Sequence, residues 1–177
     1  MTQQVLEQLF EHNNWANNQI IRVCSTLSDG QLDAKPQSAT AGSIRETLFH
    51  LAGSQRGYLR LLTLPVEERR ERLPNPPFAE LEQFTASSGE ALLALIRDDA
   101  GRLSQGRLQT TDGYWVEPWV VMVQIINHAT EHREQIKSML SALGVTPPSI
   151  DGWDYGEATG TLIPVKPAAT PEAGGPG

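Results

Sequence analysis

Between Trp119 and Leu143 the apolar residues Met122, Ile125, Ala129, Ile136, Leu140 and Leu143 recur at steps of three, four and seven. Only a helix brings such positions onto one face, and a face this apolar has to be covered by other elements. Pro118 suits a first helical position, while Gly144 and Pro147-Pro148 suit a helix end. The segment therefore demands a multi-helix core.

The rest of the chain supplies the partners. Leu6, Leu9, Asn13, Ala16, Ile20, Val23 and Leu27 alternate steps of three and four, which predicts a helix over residues 5–27. Ser28 and Gln31 form a capping-box pattern before a short element at 31–34, stopped by Pro36. A second such pattern, Ser43 with Glu46, opens a helix whose face is Ile44, Leu48, Leu51, Gln55, Tyr58 and Leu62, ending at Pro65. Pro74, Pro76 and Pro77 make 73–77 a non-helical linker. Leu81, Phe84, Ser88, Leu92 and Leu95 then predict a helix over 78–99, with Ser87-Ser88-Gly89 weakening its middle. Asp112-Gly113 between β-formers predicts a short hairpin or extended loop over 110–116. The expected fold is all-α: a four-helix bundle in residues 1–160, with a long connection before the last helix. Residues 161–177, rich in Pro, Gly, Ala and Thr, are expected to be a disordered tail.

Charge narrows the partners. A net charge of −7 with only 14 basic residues opposes a nucleic-acid partner, since phosphate binding rests on clustered Lys and Arg. The densest basic group, Arg69, Arg70 and Arg72, is interleaved with Glu67, Glu68 and Glu71 and reads as a solvated helix end or loop. The lone Cys24 excludes an internal disulfide and points to a reducing compartment. With no signal-peptide pattern and no apolar run of membrane-spanning length, the expected location is the cytoplasm, without a membrane partner.

Chemistry concentrates on histidine. Of four histidines, His128 and His132 stand at i and i+4 in the most apolar helix, with Cβ atoms roughly 6 Å apart on one face. At about 100° per residue His132 falls in the middle of the apolar stripe and His128 on its flank. Two arrangements fit. In one, His132 is a core histidine bonded to a carbonyl and His128 is half exposed. In the other, a divalent cation satisfies both rings and removes the repulsion that two buried imidazoles would feel on protonation. His50, on the flank of its own helix near mid-length, is the candidate third ligand, and three histidines leave open positions for water or substrate.

The sequence around His128 is not HExxH, so the metalloprotease arrangement is absent. Glu131 falls off the histidine face and is expected in solvent. Glu46, one turn before His50, is either a partner for its second nitrogen or simply the cap. Cys24 reads as a small core residue rather than a nucleophile. His12 reads as a surface residue, with a fourth-ligand role as its alternative, and Trp15, Trp115, Trp119 and Trp153 read as packing anchors.

Trp15-Ala16-Asn17, residues 43–51, residues 127–136, Leu143-Gly144, Pro147-Pro148 and Asp151 follow one another in a specific order and spacing. Over residues 5–155 the chain resembles the DinB/YfiT-like family of bacterial metal-binding four-helix bundles. The resemblance implies an up-down-down-up helix order, a homodimer, and one divalent transition metal per chain (nickel, zinc or iron) held by three histidines, which map onto His50, His128 and His132. Some relatives are thiol S-transferases or isomerases using bacillithiol, mycothiol or glutathione. The resemblance therefore implies a metal-dependent S-transferase or hydrolase acting on a low-molecular-weight thiol and a small electrophile. Its other implication is a non-catalytic metal-binding stress-response protein. Gln55-Arg56 stands where some relatives carry an acidic residue.

Overall fold

The computed structural model describes residues 2–37, 39, 42–70, 73–98 and 106–165. Among the described residues there are six α-helices: α1 Thr2–Cys24, α2 Asp29–Asp33, α3 Ile44–Thr63, α4 Leu81–Arg97, α5 Pro118–Ala142 and α6 Gly152–Ala158, with 3₁₀ turns at Val66–Arg69 and Phe78–Glu80. Both expected capping boxes form, Ser28 with Gln31 and Ser43 with Glu46. At the end of α5, Gly144 takes φ +73°. The Val145 amide then reaches back to the Leu140 carbonyl and the Gly144 amide to that of Ser141, a Schellman closure that satisfies carbonyls the helix leaves over.

α1, α3, α4 and α5 form the bundle, α1 and α3 each packing on both α4 and α5. Two apolar clusters report the direction of each helix. One joins Ile20, Ile44, Leu48, Leu81, Ile136 and Leu140; the other joins Phe10, Leu92, Ile96, Val121 and Ile125. α1 and α5 run from the second cluster to the first, α3 and α4 from the first to the second, so the order is up-down-down-up. Because α3 and α4 are parallel, the connection 64–80 has to return along the bundle. The long segment before α5 instead rejoins the same end and carries a hairpin: Leu108–Gln109 (β1) pairs antiparallel with Trp115–Val116 (β2), and its Asp-Gly turn has Gly113 at φ +96°.

Between the apolar clusters lies a polar belt. Arg133, 3% exposed, donates to Asn13 Oδ1 at 2.8 Å and Asn17 Oδ1 at 2.6 Å on α1. Asn17 in turn donates to Gln55 on α3, and Gln55 to the Thr85 carbonyl and Ser88 hydroxyl on α4. The belt explains why Ser87-Ser88-Gly89 does not break α4. Ser88 is bonded inside the core, and a Cβ at Gly89 would come within 2.5 Å of the Asn14 side chain, so the small residues admit α1 at close range.

Several expectations are corrected. Leu9 is 46% exposed, and Phe10 fills the core in its place. Trp115, Trp119 and Trp153 lie on the surface and not in the packing. α6 was not anticipated, although the Asp151–Asp154 capping box signals it. Glu71, Arg72 and Asp99, and the expected tail beyond 165, lie outside the described residues.

Candidate metal centre

The direct contact of α3 with α5 brings His50 to the i, i+4 pair. His50 Nε2 lies 3.1 Å from His128 Nε2, and His132 Nε2 lies 3.1 Å from the same atom. All three ring nitrogens fall within 4.8 Å of one another, and among the described residues this is the only group of His, Cys, Asp or Glu side chains so placed. Imidazole nitrogens about 2.0–2.1 Å from one ion, at roughly 90–110° to each other, stand about 2.9–3.4 Å apart. The observed spacing matches that of a shared ligand set.

The protons support the same conclusion. His132 Nδ1 is 2.8 Å from Gln135 Oε1, an acceptor, so this nitrogen carries the hydrogen and Nε2 presents a lone pair. His128 Nε2 has two nitrogen neighbours and, in a neutral ring, either one hydrogen or one lone pair. If it donates to His132 its one hydrogen is spent and it cannot accept from His50, so one of the two short contacts is left without a hydrogen bond of its own. A cation at the centre satisfies all three at once. Protonation is no escape: burial, reinforced by His132 and His50, pushes His128 down to about 4. His50 is lowered in the same way, by burial and then by His132. Both rings are thus neutral donors at neutral pH.

Burial is graded across the site, with His132 buried, His128 half-buried and His50 exposed. The Tyr58 ring stands edge-on to His128 at 5.7 Å. Gln135 holds His132 as an outer partner fixes a ligand ring. Its i, i+3 spacing from His132 is the signal that sequence reading passed over.

The remaining candidates fall away from the centre. The Glu46 carboxylate is engaged by the Ser43 amide at 2.7 Å and by Lys35, which keeps its pKa below the usual carboxylate range; it is the cap. Glu131 is in solvent. Cys24 is fully buried and burial raises its thiol to about 12, the state of an inert core residue. His12 is half-buried and not a surface residue: its Nε2 bonds the Ile150 carbonyl at 3.0 Å and its ring meets Trp15 and Tyr155, so it fastens α6 to α1. Gln55 is committed to the polar belt.

No helix among the described residues is long and apolar enough to cross a membrane. A search of curated proteins finds no match. The sequence profile of the DinB family matches residues 1–170, a span that contains the whole bundle and all three histidines. With an up-down-down-up bundle whose second and last long helices bring three imidazoles together, the chain belongs to the DinB family.

Proposed function

We propose that the protein binds one divalent transition metal ion, nickel, zinc or iron, through His50, His128 and His132, and uses it as a thiol S-transferase. The observation that carries this reading is the convergence of three Nε2 atoms with His50 on the exposed side. A three-nitrogen set closed on one flank by the core and open on the other belongs to exchangeable rather than saturated sites. When bound, such an ion supplies Lewis acidity, lowering the pKa of a thiol in its open position so that the thiolate attacks an electrophile. The chain's own contribution is positional. Gln135 fixes His132, the bundle core keeps water from its buried ring, and the exposed edge at His50 admits a small molecule.

The same proposal places the protein in the reducing cytoplasm and takes it to be a homodimer. Exposed apolar side chains on adjoining helices, Val5 and Leu9 on α1 with Trp119 and Val123 on α5, support a face covered by a second copy, and sedimentation analysis tests it. For the metal, elemental analysis of untagged protein should find about one ion per chain in the wild type and none in His128→Ala. Turnover of a generic electrophile with bacillithiol, mycothiol or glutathione should require that ion. Absence of metal from the reconstituted wild type would refute the site, and a loaded protein inactive with every thiol would refute the transferase.

A further inference from the structure

A cleft that contains none of the three metal-centre histidines lies where α6 packs on α1. Its volume is about 390 Å³. Gln4, Val5, Gln8 and Leu9 line it from α1, and Gly152 and Tyr155 from α6. His12 completes the lining, held in place by the Ile150 carbonyl and the Tyr155 ring. Val5 and Leu9 are both exposed in it, so the cleft offers apolar surface that the single chain leaves uncovered.

The chain leaves α6 as an apolar arm, residues 161–165. The Thr161 and Leu162 amides both donate to the Gly156 carbonyl, at 2.8 and 2.9 Å, which fixes the root of the arm next to Tyr155, a wall of the cleft. Beyond that root Ile163 is 77% and Val165 92% exposed. Such exposure decides that the arm does not fill the cleft of its own chain. Pro164, between the two, holds φ at about −65° and carries no amide hydrogen. The arm is therefore stiff and loses little freedom when something covers it. One exposed apolar residue needs no explanation, but an apolar run beside an open apolar cleft marks an interaction surface.

Charge narrows what can cover the two surfaces. The chain carries −7, so copies repel except where they meet on uncharged ground. The cleft lining contains no Asp, Glu, Lys or Arg, and neither does the arm. Arm and cleft both border α6, so a single two-fold axis near α6 lets each arm reach the cleft of the other copy, the closed exchange that an isologous dimer permits. A stable dimer needs about 800 Å² from each copy, more than three arm side chains cover. The α1 and α5 face supplies the remainder and is continuous with the cleft, since Val5 and Leu9 belong to both.

We propose that two copies of the chain exchange arms: Leu162, Ile163 and Val165 of each enter the cleft between α1 and α6 of the other, with Ile163 against Val5 and Leu9. The exchange rests on the homodimer proposed above and supplies its clasp.

The full-length protein tests this in two ways. Ile163→Asp changes a side chain that the single chain leaves in solvent, so its circular dichroism should match that of the wild type. Its dimer dissociation constant, from sedimentation, should rise about a hundredfold or more, because both arms lose their anchor at once. Ile163→Leu should keep most of the affinity. Separately, Val5→Cys and Ile163→Cys proteins are mixed and oxidised. Cys24 is buried, so each chain offers one new thiol, and a disulfide between the two positions joins two different copies; peptide mass spectrometry should find it. A wild type that dimerises while this disulfide fails to form, or while Ile163→Asp leaves the dissociation constant unmoved, keeps the homodimer and overturns the exchange. A disulfide formed within one chain of the doubly substituted protein, at monomer concentrations, would put the arm on its own cleft and overturn it too. A wild type that stays monomeric at every concentration refutes exchange and homodimer together.

Discussion

Replacing Arg133 with methionine tests the polar belt that crosses all four long helices. The guanidinium donates to Asn13 and Asn17 across the core and to Thr130 on its own helix. Methionine fills much of the same space but leaves two amide oxygens on α1 without that donor. An orphaned buried acceptor costs about 1–3 kcal/mol, giving roughly 2–6 kcal/mol for the pair. Against this, burial of the cation is itself unfavourable. It pulls the pKa of Arg133 from 12.5 to about 10, equivalent to about 3 kcal/mol at roughly 1.4 kcal/mol per unit. The middle of that range, about 4 kcal/mol, exceeds the relief, although the belt holds one unpaired buried donor, Asn13 Nδ2. The expected net loss is about 1 kcal/mol, or a fall in Tm of roughly 2–4 °C for a domain of this size, read by circular dichroism. Removing the orphan as well, in Asn13→Leu with Arg133→Met, should recover about 1 kcal/mol or more, as whole polar sets replaced by apolar ones often do. Metal content should equal that of the wild type, because Arg133 bonds none of the three histidines. An unchanged or raised Tm in the single variant would refute the argument that the belt holds the helices in place.

Two further outcomes concern the site. Gln135→Leu removes the acceptor at His132 Nδ1 and should weaken metal binding about 10–100-fold in competition with a chelator, while one ion per chain still binds at saturating metal. In the metal-free protein, the pKa of His128 is about 4 folded, against an ordinary value of 6.5, and that of His50 is also lowered. Between those limits the unfolded chain binds more protons, so this contribution to stability is present above pH 6.5 and is lost as the pH falls toward 4. Chemical denaturation at pH 7 and pH 5 should therefore show the wild type losing more stability than His128→Gln; equal losses would contradict the assignment.

Much of this architecture was readable before folding was considered. The period of the α5 stripe, the capping boxes at Ser28 and Ser43, and the prolines after α3 are local signals, carried by residues within one or two turns of each other. They sufficed for the number of long helices, most of their ends, and the shared face of His128 and His132. The choice of His50 as their partner lay partly beyond local pattern, because nothing in α3 states which helix it will face.

Tertiary structure decided what depends on neighbours distant in sequence. Leu9 and Phe10 are both apolar, and the positions of α4 and α5 put Phe10 inside. Charge alone sends Arg133 to the surface, yet Asn13 and Asn17, more than a hundred residues away, supply the acceptors that let it be buried. Gly89 looks like a helix breaker until Asn14 is seen against it. The meeting of the His50 and His132 nitrogens with that of His128, each at 3.1 Å, and an arginine-lined groove beside them, exist only once α3, α5 and the two connecting segments are assembled. Helical periodicity acts over a few residues, so the sequence alone determined which side chains share a face; which faces meet follows from the packing of the whole core.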